Sequence, residues 1–312
     1  PAVQRGDVVK SPFAHSKPSG MTGLVMNTRR APFDDIRVRE ALIAAFNFEY
    51  INETLTGGAQ PRITSYFSNS PLAMQDGPAT GRVAELLTPF ADDLPAGALD
   101  GYALPVSDGS ARNRAGIRRA MGALADAGFS ADGGTMRGPD GQPLSFSILL
   151  SKGSSENIAI AELYIQALAR LGITARVDAV DDAQFVARNA AFDFDLAIFR
   201  RALSLSPGNE QRYYWGSEAA DQEGSRNLMG VKSPAIDAMI DTMVGASSAE
   251  DFTAATRALD RVLTAGRYVI PFWQFTEDRI AHVAAMKYPS HVPLYGDGPN
   301  YMPEVWWIEP AQ

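Results

Sequence analysis

No cysteine occurs in the 312 residues. Disulfides, thiolate nucleophiles and cysteine-ligated zinc are therefore excluded, although the absence does not choose between a reducing and an oxidising compartment. Histidine is scarce as well. His15, His282 and His291 lie far apart, in no H-E-x-x-H or comparable spacing, so packing or surface roles are expected and no metal site. No window reaches the ~18 consecutive apolar residues of a membrane-spanning helix, so no direct membrane insertion is expected. Also lacking are a G-x-S-x-G elbow, a Walker loop and a G-x-G-x-x-G run after a strand, and with them any sign of a cofactor.

What is present describes a globular chain. Hydrophobic residues make up 46% and charged residues 21%, enough for one large core or two smaller ones. Acidic residues outnumber basic ones by 36 to 28, and the net charge of −8 argues against a nucleic-acid or anionic-membrane surface. A neutral, cationic or small partner is expected instead. The opening residues, "PAVQRGDVVKSPFAHSKPSG", carry neither periodicity nor an initiator methionine and read as an extended approach from a longer protein, its secretion signal lying in the part not present here.

The periodic segments begin with a short apolar strand at "TGLVMN". Val38, Ala41, Leu42, Ala45 and Phe46 then form one helical stripe, with Asp34 as the expected cap, and a second helix from Phe48 runs out at Gly57-Gly58. Residues 59–110 are rich in Pro, Gly, Ser and Asp and predict a long surface excursion with at most a short helix near Arg82 to Leu87. A further helix ends at Gly128, and the glycines of "DGGTMRGPDGQP" precede a strand, which favours a hairpin turn over a phosphate loop. From Leu144 the pattern is strand, helix, strand, helix, strand, the last one alternating through Phe192, Phe194, Leu196 and Ile198. Such an order implies right-handed crossovers on a largely parallel sheet, hence an α/β fold. Two amphipathic helices and a β-rich "RYVIPFWQF" complete the chain before an aromatic tail.

One stretch stands apart. "SLSPGNEQRYYWGS", Ser204 to Ser217, follows the last of these strands and combines turn formers, a carboxamide, an acid, an arginine and three aromatics. Ser206 capping a helix with Pro207 in its first turn explains part of it, the aromatics then covering the core. The position beyond the C-terminal end of a sheet strand is also where open α/β sheets bind ligands. Both readings stand on the residues alone. The paired carboxylates Asp34-Asp35, Asp92-Asp93 and Asp181-Asp182 sit at caps and turns, where aspartate is expected for structural reasons.

Successive blocks carry a family resemblance: "GLVMNTRRAPFDDIRVREALIAAFNFEYINETL", "AMGALADAGF", "LARLGITARVDAVDDAQFVAR", "FDFDLAIF", "LSPGNEQRYYWGS", "SPAIDAMIDTMVGA" and "RYVIPFWQF". In order and as a set they resemble the extracellular solute-binding proteins of family 5, above all the Yej-type oligopeptide subgroup. The resemblance implies a periplasmic-binding-protein type II-like lobe, a mixed sheet flanked by helices with a C-terminal return segment. Residues 1–20 would approach from a missing N-terminal half, 21–267 form the second lobe and 268–312 return towards the first. It further implies a periplasmic, non-enzymatic component of an ABC importer that closes about a hinge on a peptide ligand and meets the permease subunits. Gly23, Val25, Asn27, Val269, Pro271 and Trp273 match the hinge. Ser204, Ser206, Asn209, Glu210 and Arg212 are then expected as polar contacts, with Tyr214 and Trp215 as apolar walls. Where several peptide receptors place an aspartate for the ligand ammonium, this chain has Leu203, so either Glu210 substitutes or the amino terminus is blocked or held elsewhere. Arg29 and Arg30 are expected as solvent or ion-pair residues, Trp306 and Trp307 against the absent lobe. Two alternatives remain: a receptor for a sugar oligomer or metal chelate, and an α/β hydrolase using Glu210 or Asp195.

Overall fold

Residues 2–291, 293–296 and 301–309 are described by the structure, a computed structural model. The chain starts in strand β1 (Val8–Ala14), then enters β2 (Met21–Met26) and helices α1 (Ile36–Ala45) and α2 (Phe48–Thr56). Asp35, not Asp34, caps α1: its side chain accepts the Arg37 backbone N–H. α2 ends as its glycines require, with Gly57 in the left-handed region. The long excursion contains α3 (Gly81–Leu87), as its composition predicts, and leads to α4 (Arg114–Asp126) and a hairpin of β3 (Ser130–Asp132) and β4 (Thr135–Arg137).

The centre of the fold follows: β5 (Ser145–Ser151), α5 (Ser155–Ala169), β6 (Thr174–Val180), α6 (Asp182–Ala190) and β7 (Leu196–Arg201). Here Phe192 and Phe194 precede the last strand rather than alternate within it, because Phe192 takes a positive φ of 54° that breaks the extended run. Beyond it come α7 (Glu210–Trp215), α8 (Pro234–Val244), α9 (Ala249–Ala265) and β8 (Val269–Pro271). The chain finishes with β9 (Glu277–Val283), β10 (Met286–Lys287), α10 (Tyr301–Val305) and β11 (Trp307–Ile308).

β6, β5, β7, β2 and β8 form one mixed sheet in that order. The crossover strands β5, β6 and β7 run parallel, while β2 is antiparallel to both β7 and β8. Alternate side chains leave opposite faces of a strand. Accordingly Leu24, Ile148, Leu150 and Leu196 join one core with α1 and α5, while Val25, Leu149, Ala197 and Phe199 join a second with α8 and α9. The 59–110 excursion is tied to this body by α9. Asp260, fully buried, accepts the Ser65 hydroxyl at 2.7 Å and the backbone N–H groups of Tyr66, Phe67 and Met74. Arg261 donates to the carbonyls of Gln75, Gly77, Ala98 and Leu99. The segments flanking α3 thus have backbone groups satisfied by two adjacent charged side chains of α9.

A separate two-stranded ribbon joins β1 antiparallel to β9. The "extended approach" at residues 8–14 is therefore a strand, completed by the returning end of the chain.

Candidate functional site

The C-terminal ends of β5, β6 and β7 share one rim of the sheet, and there β7 outlasts its neighbour. β5 registers with it only at Ile148–Leu196 and Leu149–Ala197, whereas β2 follows it to Arg201. The Asn27 N–H donates to the Asp195 carbonyl at 3.0 Å, so hydrogen-bonded pairs fall on Asp195, Ala197, Phe199 and Arg201. Arg200 must therefore turn its backbone N–H and C=O the other way, towards the side that β5 has left. Beyond Ala197, β7 is a sheet edge on that side.

A cleft of about 430 Å³ lies along this edge, lined by Ile198, Phe199, Arg200 and Arg201 of β7, by Phe185 and Asn189 of α6, and by the 224–228 loop with Arg226. Local structure fixes each wall. Arg201 lies over the Tyr214 ring at 4.3 Å; burial pushes its guanidinium below the ordinary arginine value, and nearby Arg226 pushes the same way. The 224–228 loop is held from behind by Asn227, which is wholly buried and donates to the carbonyls of Gly216 and Val231. Arg29 reinforces it by donating to the carbonyls of Ala220, Asn227 and Leu228 while stacked on Phe192 at 3.7 Å. Burial pushes Arg29 down to about 10, with Asp221 opposing. The expectation of a solvent-facing or ion-pairing Arg29 is corrected: it is a loop anchor. Arg30 does form ion pairs, with Asp193 at 2.8 Å and Asp195 at 3.1 Å.

The residues expected from the 204–217 stretch are not brought together. Ser204 and Ser206 stand at the end of β7, linked by a Ser206 N–H to Ser204 Oγ contact of 3.2 Å. The helix begins at Glu210 with Asn209 as its cap, so Ser206 and Pro207 do not start it. The reason is Glu210, whose Oε1 accepts the Gly208 N–H at 2.9 Å and fixes a turn first. Asn209 and Arg212 line a different groove, between α7 and α8, where Arg212 pairs with Asp241. Tyr214 is half-buried beneath Arg201. Trp215 is corrected outright. It is 0% exposed, edge-on to Tyr66 and Phe199, with its indole N–H on Gln211 Oε1 at 2.6 Å, and so presents no wall. Leu203 packs against the same core.

Gly23, Val25, Val269 and Pro271 lie inside the sheet, in register as Gly23–Pro271 and Val25–Val269. Asn27 and Trp273 sit just past the strand ends, both buried. β2 and β8 are thus paired, and β2 is hydrogen-bonded on both edges and packed between two cores. The chain leaves this sheet at residues 15–20 and 272–276, side by side: His15 N–H meets the Thr276 carbonyl at 3.1 Å, and Lys17 pairs with Asp278 at 2.8 Å. Ser19 is moored to the excursion through Ser68. Residues 15–20 abut the sheet rim, for a Cβ on Gly20 would sit 2.1 Å from the Arg201 carbonyl.

Both carboxylates considered for catalysis are engaged by neighbouring groups. Asp195 is occupied by Arg30 and by the Ser147 N–H and hydroxyl. Burial raises the Glu210 carboxyl, but hydrogen bonds from the Gly208 N–H and Gln211 outweigh it and leave it below the usual glutamate value, contrary to what a general acid needs. Among the described residues no group of three His, Asp or Glu side chains could hold a metal, and no helix is long and apolar enough to cross a membrane. His282 and Trp306 pack with Phe13 and Tyr288 near the ribbon, and Trp307 is half-exposed.

The mixed sheet flanked by helices has the fold of the type II periplasmic binding proteins. The family model for bacterial extracellular solute-binding proteins, family 5, matches residues 2–223, and the chain belongs to that family. It is 41% identical over 308 residues to the "Peptidoglycan-binding protein YepA" of Agrobacterium fabrum, covering 98% of this chain and 49% of the relative. Against the "Probable peptide-binding protein YejA" of the same organism the identity is 39% over 311 residues, 98% of this chain and 50% of the other. The oligopeptide-binding protein AppA of Bacillus subtilis, solved with a nonapeptide, superposes with a TM-score of 0.70 at 16% identity, over 99% of this chain and 55% of that one. The chain therefore spans about half the length of the relatives it matches.

The sequence reading missed Arg200, Arg201, Arg226 and Phe185. A signal was present in "IFRRALS", where an alternating apolar strand ends in two arginines rather than a turn.

Proposed function

We propose that this chain is one jaw of a periplasmic receptor that holds an oligopeptide between two lobes and delivers it to the permease of an ABC importer. The single observation that carries the reading is the unpaired edge of β7 at Arg200, beside a cleft of about 430 Å³. A peptide added there as a strand gains main-chain hydrogen bonds whatever its sequence, while the cleft receives its side chains. The names of the two Agrobacterium relatives, which speak of peptidoglycan binding and of peptide binding, support a ligand containing peptide bonds. With Leu203 packed on the core, a ligand whose amino terminus is blocked or held by the other lobe fits best, since a buried ammonium without a carboxylate is strongly penalised. Closure bends the crossing segments 15–20 and 272–276 rather than the paired strands β2 and β8. Isothermal titration calorimetry of the complete protein with acetylated and free tetrapeptide mixtures tests this: saturable binding is expected, tighter for the acetylated set. Silence towards both sets overturns it.

A further inference from the structure

We propose that the cleft beside β7 is a carboxylate subsite, in which Arg201 and Arg226 grip an acidic side chain or the C-terminal carboxylate of the bound peptide. The inference rests on the peptide-receptor reading and narrows its ligand class.

Three guanidinium groups, those of Arg200, Arg201 and Arg226, line one cleft of a chain whose net charge is −8. Acidic partners are plentiful elsewhere. Arg30, Arg188 and Arg212 all pair with aspartates, yet among the described residues none of the cleft arginines has a carboxylate within ion-pair distance. Arg201 Nε is buried and without a hydrogen-bond partner. A buried donor left unmatched costs free energy that a ligand acceptor recovers. The guanidinium is planar and rests on the Tyr214 ring, so its fork is held in one orientation, the geometry that favours bidentate carboxylate capture.

The backbone that carries Arg226 is fixed as well. It sits next to Asn227, whose Oδ1 accepts from the N–H groups of Gly230 and Val231 while its Nδ2 donates to two carbonyls, and Arg29 clamps the same loop. Arg226 lines the same cleft as Arg201 and adds to the positive charge around it, with no carboxylate in ion-pair distance of either among the described residues, so a bound anion relieves the repulsion. Phe185 and Ile198 provide an apolar floor, so a bound carboxylate is partly desolvated and its attraction is screened less than at an open surface. A peptide strand on the Arg200 edge delivers its carboxylate to this place. The acidic surface as a whole opposes large polyanions, not a single carboxylate in a lined cleft.

The test uses the complete protein and acetylated tetrapeptides that differ only by Glu against Gln, or by a free against an amidated C-terminus. The acidic member is expected to bind roughly ten- to a hundredfold more tightly, the gap shrinking as salt is raised. Arg226→Gln, on an exposed side chain, and Arg201→Gln should each reduce the gap, with Arg226→Lys restoring part of it. Unchanged melting of Arg226→Gln separates loss of recognition from loss of fold. Equal affinity for acidic and neutral peptides overturns the subsite while leaving the receptor intact. Silence towards every peptide overturns both readings. Displacement by millimolar inorganic phosphate as effective as by acidic peptide overturns it too, marking an unselective anion site.

Discussion

Replacing Trp215 by phenylalanine separates a structural aromatic from a ligand wall. The indole is wholly buried, and its N–H is bound to Gln211 Oε1, itself on a side chain that is 1% exposed. Phenylalanine leaves that oxygen unmatched, at a cost of about 1–3 kcal/mol. The smaller ring also gives up part of the edge contacts to Tyr66 and Phe199, so the total is ~2–4 kcal/mol, below the ~3–5 of truncation to alanine. At about 2–4 °C per kcal/mol for a domain of this size, melting should fall by roughly 4–16 °C. Circular dichroism melts give this number, and calorimetric titration of the complete protein gives the affinity below the transition. The expected result is a clear loss of stability with peptide affinity within about twofold of the parent. A melting point unchanged alongside a tenfold weaker peptide complex would refute the reasoning and return Trp215 to the cleft.

Other consequences are equally direct. Gly20→Ala puts a methyl group against the Arg201 carbonyl at a backbone φ of +62°, so a loss of ~1–3 kcal/mol is expected in denaturant titrations, and a neutral result would show that the crossing segment yields freely. Asn27→Ala strips the carbonyls of Phe192 and Phe194 of their donor in a fully buried place; about 2–4 kcal/mol should be lost, and a change under 0.5 would contradict the assigned role. Burial raises the Asp260 carboxyl to about 6, with the Ser65 hydroxyl and three backbone N–H groups opposing. A raised folded value means that its contribution is full below about 4 and is lost as pH rises through 6. The stability of the parent relative to Asp260→Asn should therefore decline from pH 4 to pH 7, and a constant difference would refute the raised value.

The order β5, α5, β6, α6, β7 was legible because each element has one apolar period and a clear stop, as in Ile158, Ala161, Ile165 and Leu168 closed by Gly172. Local chemistry placed the end of α2 at Gly57 and the short helix α3. It was less decisive for caps: Asp34 and Asp35 are equal by type, and only the accepted Arg37 N–H distinguishes them. The candidate site was half legible. Position after a sheet strand pointed to the rim that carries the candidate cleft, but type alone does not say whether an aromatic faces a ligand or a core, so Trp215 was assigned outward. Nor does sequence show where β5 stops pairing with β7, and that departure creates the open edge. Arg226 lies 25 residues beyond Arg201 and reaches the cleft only through the anchors at Asn227 and Arg29.

The hinge residues illustrate the same limit. Gly23 and Pro271 pair in space, and a Cβ on Gly23 would lie 2.0 Å from the Ile270 carbonyl, so the glycine is required by close strand packing, which residue type alone does not distinguish from a need for flexibility.

Hydrogen exchange at the Arg200 backbone amide, in the complete protein with and without a saturating tetrapeptide, tests most directly whether a peptide docks along β7. Added peptide should slow exchange at Arg200 by at least tenfold while leaving the β2-facing amide of Phe199 unchanged. Saturation with peptide and an unaltered Arg200 rate would contradict strand addition at this edge.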